Sequence, residues 1–235
     1  MNDMDTVQTR RALLKSALVM ASGAAVSACA AKMQTAMAPA LLPPAPAYVP
    51  PIPKAPEVAR GPKIPANIRP ELFKKAIAAL DRHSMAIPSH DRIAIADFAQ
   101  PSYRPRFHIV NVGTGETQSF LVAHGIGSDP EHSGMLQRFS NEVNSEATCE
   151  GAFLTADYYI GKHGDSQRLL GLDPTNNNAL DRAIVVHSAW YANTDMIAKH
   201  GKLGRSQGCF AVGEYDLAKV FERLGPGRMI YSAKV

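Results

Sequence analysis

Two residues carry most of the chemistry open to this chain: Cys209, in the short polar run GRSQGCF (residues 204–210), and His187, which closes the apolar run AIVVH. A free thiol of pKa ~8.5 is only a few per cent thiolate at neutral pH, so it attacks a carbonyl only when a base or cation assists it. His187 is the candidate base, because it stands where a buried-looking strand ends and a side chain becomes available to a site. Taken singly, each has a plain alternative: an inert thiol and an ordinary hydrogen-bonded strand-end histidine. Three cysteines in 235 residues do not make a disulfide framework.

Upstream of any such chemistry, the chain begins with TRRALLK (residues 9–15) followed by the apolar, small-residue stretch SALVMASGAAVSACA. This reads as an export signal. Arg10 and Arg11 resemble the twin-arginine type, which exports folded proteins. The stretch from Ala12 to Ala28 is shorter than the ~20 apolar residues of a spanning helix and contains Lys15, Ser16 and Gly23, so no permanent membrane span is expected. Val26 to Cys29 resembles a lipobox, in which Cys29 would be acylated and hold the protein at a membrane surface; cleavage by an ordinary signal peptidase is the alternative. Residues 30–69 are rich in alanine and proline and read as an extended linker.

One domain of mixed composition is expected over residues 70–235. PELFKKAIAALDRH starts with proline where a first helical turn tolerates it and sets Leu72, Phe73, Ala76, Ile77 and Leu80 on one face, predicting a helix packed on the core. RIAIADF reads as a strand, and RFHIVNV with TQSFLVAHG as a hairpin about GTGE. Further strands are expected in GAFLTADYYI, QRLLGL, RAIVVH and RMIYSAKV, and a helix in EYDLAKVFERL, ended by Gly225 and Pro226. Loops are expected at about 125–151 and 188–208, and loops of that length are commonly functional. The fold class is therefore mostly β with a few helices. With residues 1–29 removed, 22 Lys and Arg face 19 Asp and Glu, a balance too mild for a nucleic-acid partner.

A histidine ending a strand, a loop, then Ser-x-Gly-Cys leading into a helix resembles the YkuD-like catalytic domain of murein L,D-transpeptidases. The blocks YYIGKHGDSQRLLGLDPTNNNALDRAIVVHSAWYAN and HGKLGRSQGCFAV look like one branch of that family, and the resemblance covers roughly Phe107 to the C-terminus. It implies an α+β fold built on a YkuD-like β-sandwich or barrel, with peptidoglycan stem peptides as substrate and no metal or organic cofactor. Position by position it makes Cys209 the nucleophile, His187 the general base and Ser206 the hydroxyl that orders the turn. Backbone N–H groups around Gly208 and Cys209 would face the oxyanion, and the glycine would let the chain come close to the substrate. The chain departs from the family's commoner form at Gln207, Phe210, Ala211 and Ser188, with Arg205 before the serine as this branch's own feature.

Arg205, His163 and Arg168 are the candidate substrate-side residues, and Tyr158, Tyr159 and Trp190 are aromatics that could line a groove. Cys149 reads as a structural thiol. The implied reaction is attack on the carbonyl preceding a terminal D-alanine, with an amine or water resolving the thioester, so that transpeptidation and carboxypeptidation both stay open. Other classes considered are a zinc site from His163, His187, His200 and Cys209, a sortase-like transpeptidase, and a tethered wall-binding lipoprotein with a degenerate site.

Overall fold

The computed structural model describes residues 62–235. The expected export signal, Cys29, and the linker through residue 61 lie outside the described residues.

Thirteen residues form α1 (Pro70–Arg82), with Pro70 at the first turn, Glu71 beside the positive helix end and Arg82 beside the negative one. Leu72, Phe73, Ala76, Ala79 and Leu80 are the buried face. Packing begins upstream of Pro70: Ile68 is buried with the same cluster, and the Arg69 guanidinium donates to Asp97 at 3.0 Å and to the Val235 carbonyl.

Eight strands follow: β1 (Arg92–Asp97), β2 (Phe107–Asn111), β3 (Thr117–Phe120), β4 (Gly151–Gly161), β5 (Gly164–Gly171), β6 (Val185–Ser188), β7 (Phe210–Val212) and β8 (Met229–Ala233). They form one sheet in the order β3-β2-β1-β8-β4-β5-β6-β7. Most neighbours are antiparallel, while β1 with β8 and β6 with β7 run parallel. The two sheet edges come back together, because the segment after β3 bridges the far edge: Ala123 N–H donates to the Ala211 carbonyl at 2.8 Å and Gly125 bridges Ser206. Barrel-like curling of this kind satisfies edge groups that would otherwise stay unpaired.

Alternation along the strands divides the apolar residues between faces. On one face Ala94, Phe107, Phe153, Val186 and Phe210 meet α3 (Leu217–Leu224) in the main core, where the Phe210 ring lies 5.4 Å from Phe153 and 6.3 Å from Phe107. On the other, Ile93, Ile95, Val110 and Met229 pack under α1. A third cluster joins Ala123 and Ala211 to Met196 of α2 (Thr194–His200).

The strands and the first and last helices agree with the sequence reading. Two features differ from it. The stretch 188–208, expected as loop, contains a 3-10 turn and α2, whose apolar face covers the outer side of β7. Cys209 leads into strand β7 and not directly into a helix, because Phe210–Val212 is captured by pairing with β6. The helix α3 begins only at Leu217.

Candidate active site

Parallel pairing of β6 with β7 sets His187 opposite Ala211. Two residues earlier on the β7 side stands Cys209, so the period of two puts its side chain on the same side of the sheet as His187. Both line a cavity of about 370 Å³, together with His163, Arg182, Arg205 and Ser206. Cys209 is partly exposed there, while His187 is 1% exposed.

His187 is ready to accept a proton. Its Nδ1 lies 2.8 Å from the Ser188 carbonyl, an acceptor, so Nδ1 carries the hydrogen and Nε2 keeps its lone pair. Burial pushes its pKa down to about 4, and the charges of His163 and Lys162 push the same way against the Ser188 hydrogen bond. The ring is therefore neutral at ordinary pH.

The thiol rests in its protonated form. Burial raises its pKa, opposed by a backbone hydrogen bond from Val185 and by the charges of Lys162 and Arg182. Its hydrogen bond goes to the Ala183 carbonyl at 3.6 Å, a residue held at φ +51°, where L-residues are strained. Among the described residues no direct Cys209–His187 hydrogen bond is present, so the thiol must turn from Ala183 before the imidazole can take its proton. Such bonds are commonly completed only when substrate binds.

The loop before Cys209 is tied at both ends. Ser206 N–H donates to the His124 carbonyl at 2.9 Å, and Ile126 N–H to the Ser206 carbonyl at 2.8 Å. Ser206 Oγ donates to the Cys209 carbonyl at 2.7 Å and accepts from Gly208 N–H at 3.2 Å. Gly208 N–H is thus occupied inside the turn and does not face a substrate, contrary to the sequence expectation. Among the described residues the Cys209 N–H has no acceptor and is the donor left for an oxyanion. Gly208 is required for another reason than close substrate approach. Its φ is +110°, and a Cβ there would lie 2.7 Å from the Ala147 carbonyl oxygen.

Over residues 65–232 the chain matches the family model described as the L,D-transpeptidase catalytic domain. This chain belongs to the L,D-transpeptidase catalytic-domain family. Solved structures similar to it include an L,D-transpeptidase from Mycobacterium tuberculosis H37Rv (15% identity, TM-score 0.40, covering 61% of this chain and 58% of that one). Another from Mycobacterium smegmatis has 14% identity and a TM-score of 0.37, over 61% of this chain and 58% of that one. The helical cell shape determining protein of Campylobacter jejuni has 10% identity and a TM-score of 0.42, over 63% of this chain and 48% of that one. The aligned part spans less than two thirds of the length of these proteins, and the family assignment rests on the match over 65–232. No curated protein sequence matches the chain.

Within this L,D-transpeptidase domain the other predicted residues divide. His163, at the turn between β4 and β5, stacks on His187 with ring centroids 4.3 Å apart and planes at 18°. Arg205 lines the cavity, with Nη1 held by the Asp129 and Pro130 carbonyls. Arg168 does not line it; its guanidinium lies 4.0 Å above the Tyr159 ring, and Tyr159 is the lining residue. Tyr158 packs instead on Phe221 at 4.7 Å, and Trp190 is exposed against Tyr191. Of the zinc alternative, His200 ends α2 away from the cavity lining.

Sequence reasoning missed Lys162, Arg182 and Tyr191, which line the cavity. Arg182 donates to the Ser140 carbonyl and the Cys149 sulfur, both at 2.7 Å, and to the Ala147 carbonyl. It pins the 140–149 segment behind Gly208, and Cys149 is a buried thiol held by that cation. Also missed was a buried row, Arg106–His124–Asp129. Arg106 Nη2 donates to His124 Nδ1 at 2.7 Å, and His124 Nε2 to Asp129 at 3.2 Å. Nothing local in the sequence marks either arrangement, because every partner is distant along the chain.

Proposed function

We propose that the chain is a cysteine-dependent L,D-transpeptidase acting on peptidoglycan stem peptides. Cys209 is the nucleophile and His187 the general base. On substrate binding, His187 Nε2 takes the thiol proton as sulfur attacks the carbonyl carbon before the terminal D-alanine. The Cys209 N–H supports the oxyanion, and Ser206 holds the turn that aims it. Collapse of the tetrahedral intermediate breaks the C–N bond, and the His187 imidazolium returns its proton to the departing D-alanine amine. An acceptor amine, such as that of a diaminopimelate side chain, then attacks the thioester carbonyl, passes its proton to His187 and restores the thiol. Water in its place would give a carboxypeptidase.

What supports this reading is the meeting of Cys209 and a neutral, buried His187 with a free Nε2 in one cavity of a domain that belongs to this family. A substrate in the wall requires a protein outside the cytoplasm. The signal-like residues 1–29 meet that need, and acylated Cys29 would add a membrane tether through the linker. Among the described residues no helix is long and apolar enough to cross a membrane.

The test is incubation with a purified tetrapeptide stem and a labelled D-amino acid, followed by mass analysis. Release of D-alanine with incorporation of the label, lost in Cys209→Ala, is the expected result. Release without incorporation identifies the carboxypeptidase, and no release of D-alanine from the stem refutes the enzyme.

A further inference from the structure

The cavity holds three side chains of fixed positive charge, Lys162, Arg182 and Arg205, and no Asp or Glu among its lining residues. None of the three has a carboxylate partner within ion-pair distance among the described residues. The nearby acids are committed elsewhere. Glu146 accepts from Gln207 at 2.7 Å, and the Asp129 carboxylate accepts from Ser133, Gly134 and His124.

The three cations are not equivalent. Arg182 is used up on the Ser140 and Ala147 carbonyls and the Cys149 sulfur. Arg205 is fixed by one arm of its fork to backbone carbonyls. Lys162 has no hydrogen-bond partner among the described residues and stands exposed at the β4–β5 turn, close enough to act on the charges of Cys209, His163 and His187. Concentrated charge of one sign in a walled cleft draws in ligand groups of the opposite sign, and an uncommitted ammonium can reach one without breaking an existing bond.

We infer that Lys162 forms, with Arg205, a carboxylate subsite beside Cys209, so that the enzyme selects stem peptides bearing a free carboxylate next to the scissile bond and discriminates against their amides. The inference rests on the stem-peptide reading above. The carboxylate has two sources, the terminal D-alanine or a side-chain acid of the preceding residues, and the substrate arms separate them.

Three tetrapeptide stems are compared on the full chain: all carboxylates free, the terminal carboxylate amidated, and the side-chain carboxylates amidated. Amidation at the recognised position should raise KM about tenfold, the worth of one partly shielded charge contact. Lys162→Met should abolish that difference by weakening the acid stem, and Lys162→Arg should keep it. Equal KM for all three stems, or discrimination that persists in Lys162→Met, overturns the subsite while leaving the transpeptidase reading intact.

A second arm is independent of turnover. Alkylation of Cys209 by anionic iodoacetate and neutral iodoacetamide is followed site by site by mass spectrometry, relative to a small-molecule thiol. The iodoacetate-to-iodoacetamide ratio should exceed that of the model thiol and fall in Lys162→Met; a ratio that fails either expectation overturns the subsite. If no stem is turned over, the enzyme reading fails, and this ratio alone decides for or against the anion subsite.

Discussion

His163 covers His187 face to face, ring on ring at 4.3 Å. This contact helps to keep water from the imidazole, whose pKa is lowered to about 4 chiefly by burial, with the charges of His163 and Lys162 acting in the same direction. Removing the cover should therefore raise the His187 pKa toward its ordinary value. Since the neutral ring is the base, the acid limb of D-alanine release should move from near pH 4 in the native protein to higher pH in His163→Ala. In His163→Phe, which keeps a ring in place, it should move less. A pH–rate profile measures this, and an unmoved limb in His163→Ala would show that the stacking does not tune the base.

A carbapenem should acylate the native chain once, at Cys209, and Cys209→Ala should carry no adduct. The turn geometry motivates this, since the thiol lies partly exposed beside an unengaged N–H. His187→Ala should slow both this acylation and D-alanine release by about 10² or more. Intact-mass and peptide-mass spectra read the first, a D-alanine assay the second; an adduct retained in Cys209→Ala would place the nucleophile elsewhere.

Two glycines with positive φ offer a matched comparison. In Gly164→Ala the new methyl meets nothing within 4 Å, so only the backbone preference is lost, about 1 kcal/mol. In Gly208→Ala the methyl would press on the Ala147 carbonyl, and the new residue would also have to adopt φ +110°, for about 2 kcal/mol or more. Urea unfolding of the two variants should rank them in that order, and equal midpoints would contradict the packing described behind Cys209.

Stability should fall on mild acidification. His124 and His187 are both buried with pKa lowered to about 4, against an unfolded value near 6.5. The unfolded chain therefore binds more protons between these values, and the stability held above pH 6.5 is lost as pH falls toward 4. Each histidine contributes a slope of about 1.4 kcal/mol per pH unit inside that window. The carboxylates of Asp91, Asp129 and Asp173, held below their ordinary values, add their loss only at lower pH. Urea midpoints at pH 7.5 and pH 4.5 test this, and equal midpoints would refute it.

Much of this architecture is legible locally. The amphipathic spacing of Leu72, Phe73, Ala76 and Leu80 marks α1, and alternation marks β1, since each reports a face within a window of a few residues. Phe210–Val212 is too short to show either period, and its state as a strand comes from β6 on one side and Ala123 on the other. For the same reason the loop reading of 188–208 missed α2, a seven-residue helix stabilised chiefly by packing on β7.

By itself the sequence determined which groups are available, a rare thiol behind Ser-x-Gly and a histidine at a strand end, because residue type and local pattern set chemistry and element. The tertiary structure decided what each group meets. It spent Gly208 N–H inside the turn, laid His163 over His187, sent Arg168 to Tyr159 and left Lys162 without a partner. Those outcomes depend on which distant segments close against one another. Hydrogen bonds and charges act over a few ångströms in space, regardless of how far apart their owners lie along the chain.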